Sequence, residues 1–364
     1  MRRSVLVVMI VVAAFCASIA SIRYGMNEAN ASETASIPRP ANDLPVQGAI
    51  PKLEGAVTWL NSAPLTPAQL RGKVVLVDFW TYSCINCIRT FPYIRAWADK
   101  YRDKGLVVLG VHTPEFQFEQ DLANIHTAMK RFMIDFPVAV DSNHRIWQAF
   151  GNRAWPAIYL VDPKGNIRYR QLGEGHYDKT ERAIQALLAE AGKEKVPTDL
   201  VHPTASDEQM APDVDRIGSE ETYIGYEQST NLRSPESVRK NALQTYSVGE
   251  LALNDWGLFG AWTVMADRGT VSKEGSGIAY RFSARDLHLV LGPGAAGKPV
   301  RIRVTIDGRA PGADHGADID EEGNGVISQT RLYQLVRQAG KVSARRFEIR
   351  FLDTGAEAYA FTFG

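Results

Sequence analysis

Two cysteines separated by two residues, Cys84 and Cys87, are the side chains of this chain best suited to redox chemistry. They follow a near-continuous apolar run at 73–80, typical of a buried parallel strand, and precede apolar residues at helical spacing over 87–102. At a helix start, backbone N–H groups and the helix dipole favour thiolate, so we expect the pKa of Cys84 to fall from ~8.5 to roughly 3.5–7.5. The pattern indicates thiol–disulfide exchange, in which Cys84 attacks and Cys87 resolves the mixed disulfide.

Other interpretations of this motif remain open. The pair could form an inert structural disulfide, but a metal site is disfavoured because no second cysteine pair or histidine cluster completes four ligands. We therefore expect no metal and no cofactor. Thr81 and Cys84 resemble the Thr-x-x-Cys of peroxiredoxins, although Val77 stands where that motif has proline. A thiol peroxidase is the alternative enzyme.

The N-terminus indicates where the chain works. Arg2 and Arg3 precede an apolar run at 5–22, and no acidic residue occurs before Glu28. This pattern predicts a signal peptide or a signal anchor within residues 1–31. We therefore expect a periplasmic or extracellular protein, which is free if the segment is cleaved and is anchored to the inner membrane by residues 5–22 if it is retained. Cys16 belongs to this run, which leaves Cys84 and Cys87 as the cysteines of the exported part.

Changes in pattern divide the remaining chain. Residues 32–47 are polar and rich in proline, as in a tether. Residues 48–192 alternate between strand and helix patterns, including a helix expected over 116–134, whereas 193–216 is charged and proline-containing, as in a linker. Residues 217–364 contain short alternating runs between Gly-rich turns, which predicts an all-β sandwich. These runs lie at 278–282, 287–291, 300–306, 331–336, 346–352 and 359–363.

Charge and aromatic residues limit the partners. The chain carries 41 basic and 41 acidic residues, so it has no basic excess for a nucleic-acid backbone, and we expect no nucleic-acid partner. Trp256, Phe259 and Trp262 cluster in the sequence. Exposed, they would suit stacking on sugar rings; buried, they would belong to the sandwich core. A binding protein whose β domain recognises glycan or protein is therefore a second alternative.

Several motifs resemble the thioredoxin superfamily. The segment Val-Asp-Phe-Trp ending at Trp80 is similar to the strand that leads to the thioredoxin active site. Pro92 stands where the family has a helix-kinking proline, and Trp155-Pro156 precedes a strand where the family has a cis-proline. The resemblance implies an α/β thioredoxin fold for 48–192, a buried proton-handling acid at Asp78, and a substrate-docking groove at Pro156.

A narrower resemblance is to the TlpA/ResA-type oxidoreductases, which carry an acidic residue facing the cysteines; Glu115 matches it in position. Trp-Thr-Tyr-Ser-Cys-Ile-Asn-Cys and His-Thr-Pro-Glu-Phe further resemble the soluble part of DipZ-type cytochrome c biogenesis proteins. The DipZ resemblance implies a carbohydrate-binding-module-like β domain, and the TlpA-like features imply a protein disulfide oxidoreductase that works in the reducing direction on client protein thiols and disulfides. The DipZ resemblance also implies a CcdA-like membrane electron donor, which here would be a separate protein.

Overall fold

The computed structural model describes residues 44–205 and 207–364. The predicted signal or anchor segment, and the predicted tether up to residue 43, lie outside the described residues. Among the helices of the described part, none has the length and apolar character needed to cross a membrane.

The first domain is built around a seven-stranded sheet in the order β1-β7-β6-β3-β4-β5-β2. Strands β3, β4 and β5 are parallel, and the remaining neighbours pair antiparallel. The strands are β1 (Gly48–Ala49), β2 (Thr58–Leu60), β3 (Val74–Trp80), β4 (Leu106–His112), β5 (Val138–Val140), β6 (Ala157–Val161) and β7 (Asn166–Leu172). The α-helices are α1 (Ile85–Tyr101), α2 (Leu122–Arg131), α3 (Arg145–Phe150) and α4 (Tyr177–Glu190). Short 3-10 turns lie at Arg102–Lys104 and Gln117–Gln120.

The elements around the cysteines follow from local sequence. Every residue of β3 is buried, as its apolar run predicts, and four residues separate the end of β3 from the start of α1. The single helix expected over 116–134 is wrong. A 3-10 turn occupies Gln117–Gln120, and α2 then starts afresh because the Asp121 carboxylate accepts hydrogen bonds from the backbone N–H groups of Ala123 and Asn124.

The second domain is the predicted antiparallel β sandwich. The main path of its strands is β15-β14-β17-β12-β10-β11-β18-β13-β16, with β8 beside β18 and β9 beside β10. The strands are β8 (Thr222–Tyr223), β9 (Leu243–Tyr246), β10 (Trp256–Val264), β11 (Gly269–Val271), β12 (Gly277–Ser283), β13 (Asp286–Gly292), β14 (Val300–Ile306), β15 (Asn324–Ile327), β16 (Arg331–Arg337), β17 (Ala344–Phe351) and β18 (Glu357–Phe363). Further 3-10 turns lie at Asp207–Gln209, Val214–Arg216 and Gly312–Asp314.

Strand β10 passes from one sheet of the sandwich to the other. Its first half pairs with β12 and its second half with β9 and β11. The change occurs at Gly260, which has φ +78° and whose added Cβ would lie 2.5 Å from the Ser276 hydroxyl. Trp256 and Trp262, on either side of it, are fully buried. The aromatic cluster seen in the sequence therefore contributes its two indoles to the core.

The two domains share apolar packing at the sheet edge that carries the cysteines. Tyr359 packs against Phe116 and Phe118 with ring centroids 5.3 Å and 4.7 Å apart. Val290 and Leu332 of the β domain are buried in the same cluster as the first domain's core. Burial of these side chains joins the domains through a hydrophobic contact.

Part of the predicted linker, 193–216, packs along α4. Val201 donates its N–H to Glu181 Oε2 at 2.8 Å, and the Gln185 side chain donates to the Asp199 carbonyl at 3.0 Å. The chain therefore follows the surface of the first domain before it enters the second.

Candidate redox site

Cys84 and Cys87 lie together at the start of α1. Cys84 is the N-cap residue of the helix, and its Sγ accepts a hydrogen bond from the Cys87 N–H at 3.3 Å. The two sulfurs are 2.8 Å apart and both are free thiols. Cys84 is half-buried and Cys87 fully buried. This geometry makes Cys84 the accessible sulfur and leaves Cys87 within reach of it.

The expected fall in the pKa of Cys84 is wrong. Burial raises the pKa of this thiol, and the carboxylates of Glu115 and Glu221 raise it further, against the hydrogen bonds from Cys87 that lower it. Burial, Cys84 and Asp78 hold the pKa of Cys87 well above its ordinary value. Loss of water outweighs the benefit of the helix start, so both groups favour the thiol form.

Asp78 lies on β3, 1% exposed. Neither carboxyl oxygen has a hydrogen-bond partner among the described residues. Burial without a partner raises the pKa of Asp78 to about 7, because the charged form loses its hydration. A carboxyl group that titrates near neutral pH can exchange a proton with a neighbouring thiol.

The Trp155–Pro156 peptide bond is cis, as the sequence predicts. The Trp155 indole N–H donates to the Thr113 carbonyl at 3.1 Å, and its ring lies 4.2 Å from the ring of Trp147. These contacts hold Trp155 beside Cys84 at the cleft described below.

Trp80 and Pro92, which the family resemblance singles out, lie in the core beneath the site and not in the cleft. Trp80 is fully buried and packs edge-on against Phe91 at 5.3 Å. Pro92 is buried inside α1. Both contribute to the core that α1 and β3 share, and neither lines the cleft.

Glu115 lies near Cys84, on the loop after β4. Since β3 and β4 are parallel, their carboxyl ends meet at one sheet edge, where Cys84 and Glu115 both line the cleft. Glu115 Oε1 accepts a hydrogen bond from the Tyr223 hydroxyl of the β domain at 2.5 Å. Burial raises the pKa of Glu115 to about 8, and the nearby Glu221 and Glu119 carboxylates add to the rise.

Glu119 is a site residue that the sequence did not reveal. Its buried carboxylate accepts hydrogen bonds from the Ser83 hydroxyl at 2.6 Å and from the backbone N–H groups of Glu115 (2.7 Å) and Phe116 (3.0 Å). It thereby connects the turn before Cys84 to the loop that carries Glu115. A glutamate three residues into a turn, as in a capping box, is the sequence signal that could have found it.

A cleft of about 460 Å³ opens at Cys84 between the two domains. The first domain forms one wall with Glu115, Arg153, Trp155 and Glu174. The β domain forms the other wall with Ile217, Ser219, Glu221, Tyr223, Thr362 and Phe363. A buried thiol and a half-buried thiol beside a cleft, at the carboxyl ends of parallel strands, are features of redox proteins with a thioredoxin-like fold.

Comparison with known proteins agrees with this class. Residues 46–188 match the Redoxin family, and residues 219–364 match the family described as thioredoxin like C-terminal domain. Protein DipZ of Mycobacterium tuberculosis is 35% identical over 250 residues, which cover 67% of this chain and 35% of DipZ. Thiol-disulfide oxidoreductase YkuV of Bacillus subtilis is 35% identical over 142 residues, 39% of this chain and 95% of YkuV. Thiol-disulfide oxidoreductase ResA of Bacillus cereus is 25% identical over 131 residues, 36% of this chain and 73% of ResA.

The chain belongs to the thioredoxin superfamily, and within it to the TlpA/ResA/DipZ-like members. It spans about a third of the length of DipZ. The resemblance expected from the sequence motifs is confirmed.

Proposed function

We propose that this protein is an extracytoplasmic thiol–disulfide oxidoreductase in which Cys84 and Cys87 alternate between dithiol and disulfide. The observation that carries the proposal is the pair of sulfurs 2.8 Å apart at the start of α1, one of which opens to a cleft. The relatives YkuV and ResA, which carry the name thiol-disulfide oxidoreductase, support the same chemistry.

In the reducing direction, the Cys84 thiolate attacks a client disulfide and forms a mixed disulfide, while the first client sulfur leaves as a thiolate and takes up a proton. Cys87 then loses its proton and attacks the Cys84 sulfur, which releases the second client thiolate. The second client thiolate also takes up a proton, so the client gains two electrons and two protons, which balance the two protons lost by Cys84 and Cys87 as the protein becomes a disulfide. Asp78, with its pKa of about 7, accepts the Cys87 proton.

Glu115 and Pro156 have different roles in this scheme. Glu115 lines the cleft with Cys84, where its carboxyl group exchanges a proton with the attacking or leaving sulfur. Trp155, which directly precedes Pro156, lines the cleft together with Cys84, and we propose that the client backbone docks at Trp155 and Pro156.

The raised thiol pKa values support the reducing direction. A protein whose reduced form is strongly stabilised is an oxidant, and burial at Cys84 and Cys87 withholds that stabilisation from the thiolates. Electrons would come from a CcdA-like membrane protein. The apolar segment at 5–22, as a signal peptide or an anchor, supports a position outside the cytoplasm.

The test is the redox potential of the Cys84–Cys87 pair, together with reduction of insulin by the full chain. We expect a potential near the thioredoxin value of roughly −270 mV; a value near −120 mV would instead indicate an oxidant. Cys84→Ala should abolish exchange, and Cys87→Ala should accumulate mixed disulfides. Full turnover by Cys87→Ala would contradict the two-cysteine mechanism, and rapid peroxide consumption would favour a peroxidase.

A further inference from the structure

We propose that Tyr223 and Glu221, both in the β domain, are positioning residues of the redox site that control when Glu115 carries a charge beside Cys84. This inference rests on the proposed thiol–disulfide exchange. It assigns the β domain a part in the chemistry, beyond a separate binding role.

A hydrogen bond joins the β domain to the Glu115 carboxyl group. The Tyr223 hydroxyl donates to Glu115 Oε1 at 2.5 Å, although the two residues are 108 positions apart in the chain. Strand β8, which carries Tyr223, is fixed by pairing with β18, where Ala360 is the direct partner of Tyr223. The tyrosine ring also packs near Phe116, with centroids 6.3 Å apart. The hydroxyl is therefore held in place by a sheet and an aromatic contact.

Glu115 is held from its own domain as well. Its backbone N–H donates to the buried Glu119 carboxylate at 2.7 Å, and that carboxylate also accepts from the Ser83 hydroxyl, one residue before Cys84. Glu115 is thus fixed at its backbone by the first domain and at its carboxyl group by the second. Such double support is what holds a proton-exchanging group in a productive geometry.

The two β-domain residues act on Glu115 in opposite directions. The hydrogen bond from Tyr223 stabilises the charged carboxylate and lowers the pKa of Glu115, whereas the negative charge of Glu221 raises it. Glu221 lies in the same cleft and also interacts with the Tyr223 hydroxyl. The other titratable or charged groups that line the cavities around Glu115, or lie on its own loop, are Cys84, Glu119, Arg153, Glu174, Glu227 and Asp267.

Because Tyr223 and Glu221 shift the pKa of Glu115 in opposite directions, replacing each of them tests the proposal. Tyr223→Phe removes the hydroxyl and keeps the ring, so Glu115 should stay protonated to a pH about one unit higher, a tenfold change in its proton-dissociation constant. Glu221→Gln removes a neighbouring negative charge, so the titration of Glu115 should move to lower pH. Tyr359→Phe is the matched control, because Tyr359 is also a tyrosine of the domain contact and bonds a different carboxylate, Glu357, at 2.8 Å.

The experiment measures the rate of iodoacetamide alkylation at Cys84 against pH in the reduced full chain, quantified on the peptide that contains Cys84. The step due to Glu115 is the one that disappears in Glu115→Gln. We expect that step to move upward in Tyr223→Phe, downward in Glu221→Gln, and to stay in place in Tyr359→Phe. Circular dichroism shows that each variant is folded; if Tyr223→Phe is not, the direction of the Glu221→Gln shift decides.

Unshifted profiles in the Tyr223→Phe and Glu221→Gln variants, or shifts in the same direction, would overturn the inference, since mere loosening of the domain contact affects both alike. Insulin reduction by the wild-type chain is measured in parallel. If it is absent, the proposed function fails. If it is present and the profiles do not separate, only the role of Tyr223 and Glu221 fails.

Discussion

Replacement of Asp78 by Asn should stabilise the protein at neutral and alkaline pH, while it slows thiol–disulfide exchange. Asp78 is 1% exposed and its carboxyl group has no hydrogen-bond partner among the described residues. Ionisation inside the fold is therefore costly, and the pKa rises from 3.8 to about 7. Asn keeps the shape of the side chain and removes the ionisation.

The size of the effect follows from linkage. Between pH 3.8 and about 7 the unfolded chain has lost the Asp78 proton and the native chain has kept it, so native stability falls as the pH rises. Each pH unit changes the free energy of unfolding by about 1.4 kcal/mol, and above a pH of about 7 the loss levels off. Between pH 5 and pH 8, the Asp78→Asn variant should therefore gain about 3 kcal/mol relative to the wild type.

The assay is urea denaturation of both proteins at pH 5 and at pH 8 under reducing conditions, followed by tryptophan fluorescence. Subtracting the two proteins at each pH cancels the other titrating groups. Asp286→Asn is the control, because the pKa of Asp286 is lowered in the fold whereas that of Asp78 is raised. Burial alone would raise the pKa of Asp286, but hydrogen bonds from Arg285 and Arg337 keep it below its usual value, so the residue is ionised in both states at pH 5 and above. Its replacement should cost the same stability at both pH values.

An Asp78→Asn difference that is equal at pH 5 and pH 8 would refute the reasoning, since it would show that Asp78 is already ionised in the native protein. A stability difference between Asp78→Asn and the wild type that grows by about 3 kcal/mol from pH 5 to pH 8, together with unchanged insulin reduction, would separate the two claims. The buried acid would then be real, and its part in deprotonating Cys87 would not be.

Three further outcomes are expected. Glu119→Gln should lower the free energy of unfolding by about 2 kcal/mol in urea denaturation, because the amide keeps one of the two acceptor oxygens and leaves a backbone N–H, of Ser83 or of Glu115 and Phe116, facing an NH2 group; an unchanged midpoint would contradict this. Arg89→Met should cost about 3 kcal/mol in the same assay, because it leaves the Glu174 carboxylate, 3.2 Å from the guanidinium, without its buried partner; Lys at that position is the charged control. Glu115→Gln should lower the pKa of the attacking thiol by removing a like charge, and superimposable alkylation curves would exclude that.

Sequence periodicity correctly predicts the strands that are long enough to show either alternating burial or continuous burial. Strand β14 has the predicted bounds, and its residues alternate between buried and exposed or half-buried. Strand β3 is buried throughout, as its apolar run indicates. Strands β1 and β8 have two residues each, too few for any period, so pairing with distant partners decides them.

The features of the candidate site that short sequence motifs predict differ from those that depend on contacts between residues distant in sequence. The cysteine pair and the cis bond at Pro156 come from motifs a few residues long, and the sequence predicts both. The capping-box pattern could find Glu119 and its local bond to Phe116, but its bond to Ser83 spans 36 positions and the bond from Tyr223 to Glu115 spans 108, so no local pattern identifies these two contacts. The wrong expectation for the Cys84 thiol has the same origin, because the helix start is local and the burial comes from the tertiary structure.

Burial at the domain contact also explains why the cleft has a fixed form. Tyr359 is 3% exposed and Leu332 1% exposed, each packed in the core cluster of the first domain. Moving the domains apart would return such side chains to water at roughly 1.5–3 kcal/mol each. The hydrogen bond from Tyr223 to Glu115 is therefore held by a domain contact whose opening has a high free-energy cost. A client disulfide that reaches Cys84 must then fit between two walls, and we expect exposed, extended disulfide segments to react faster than disulfides inside folded domains.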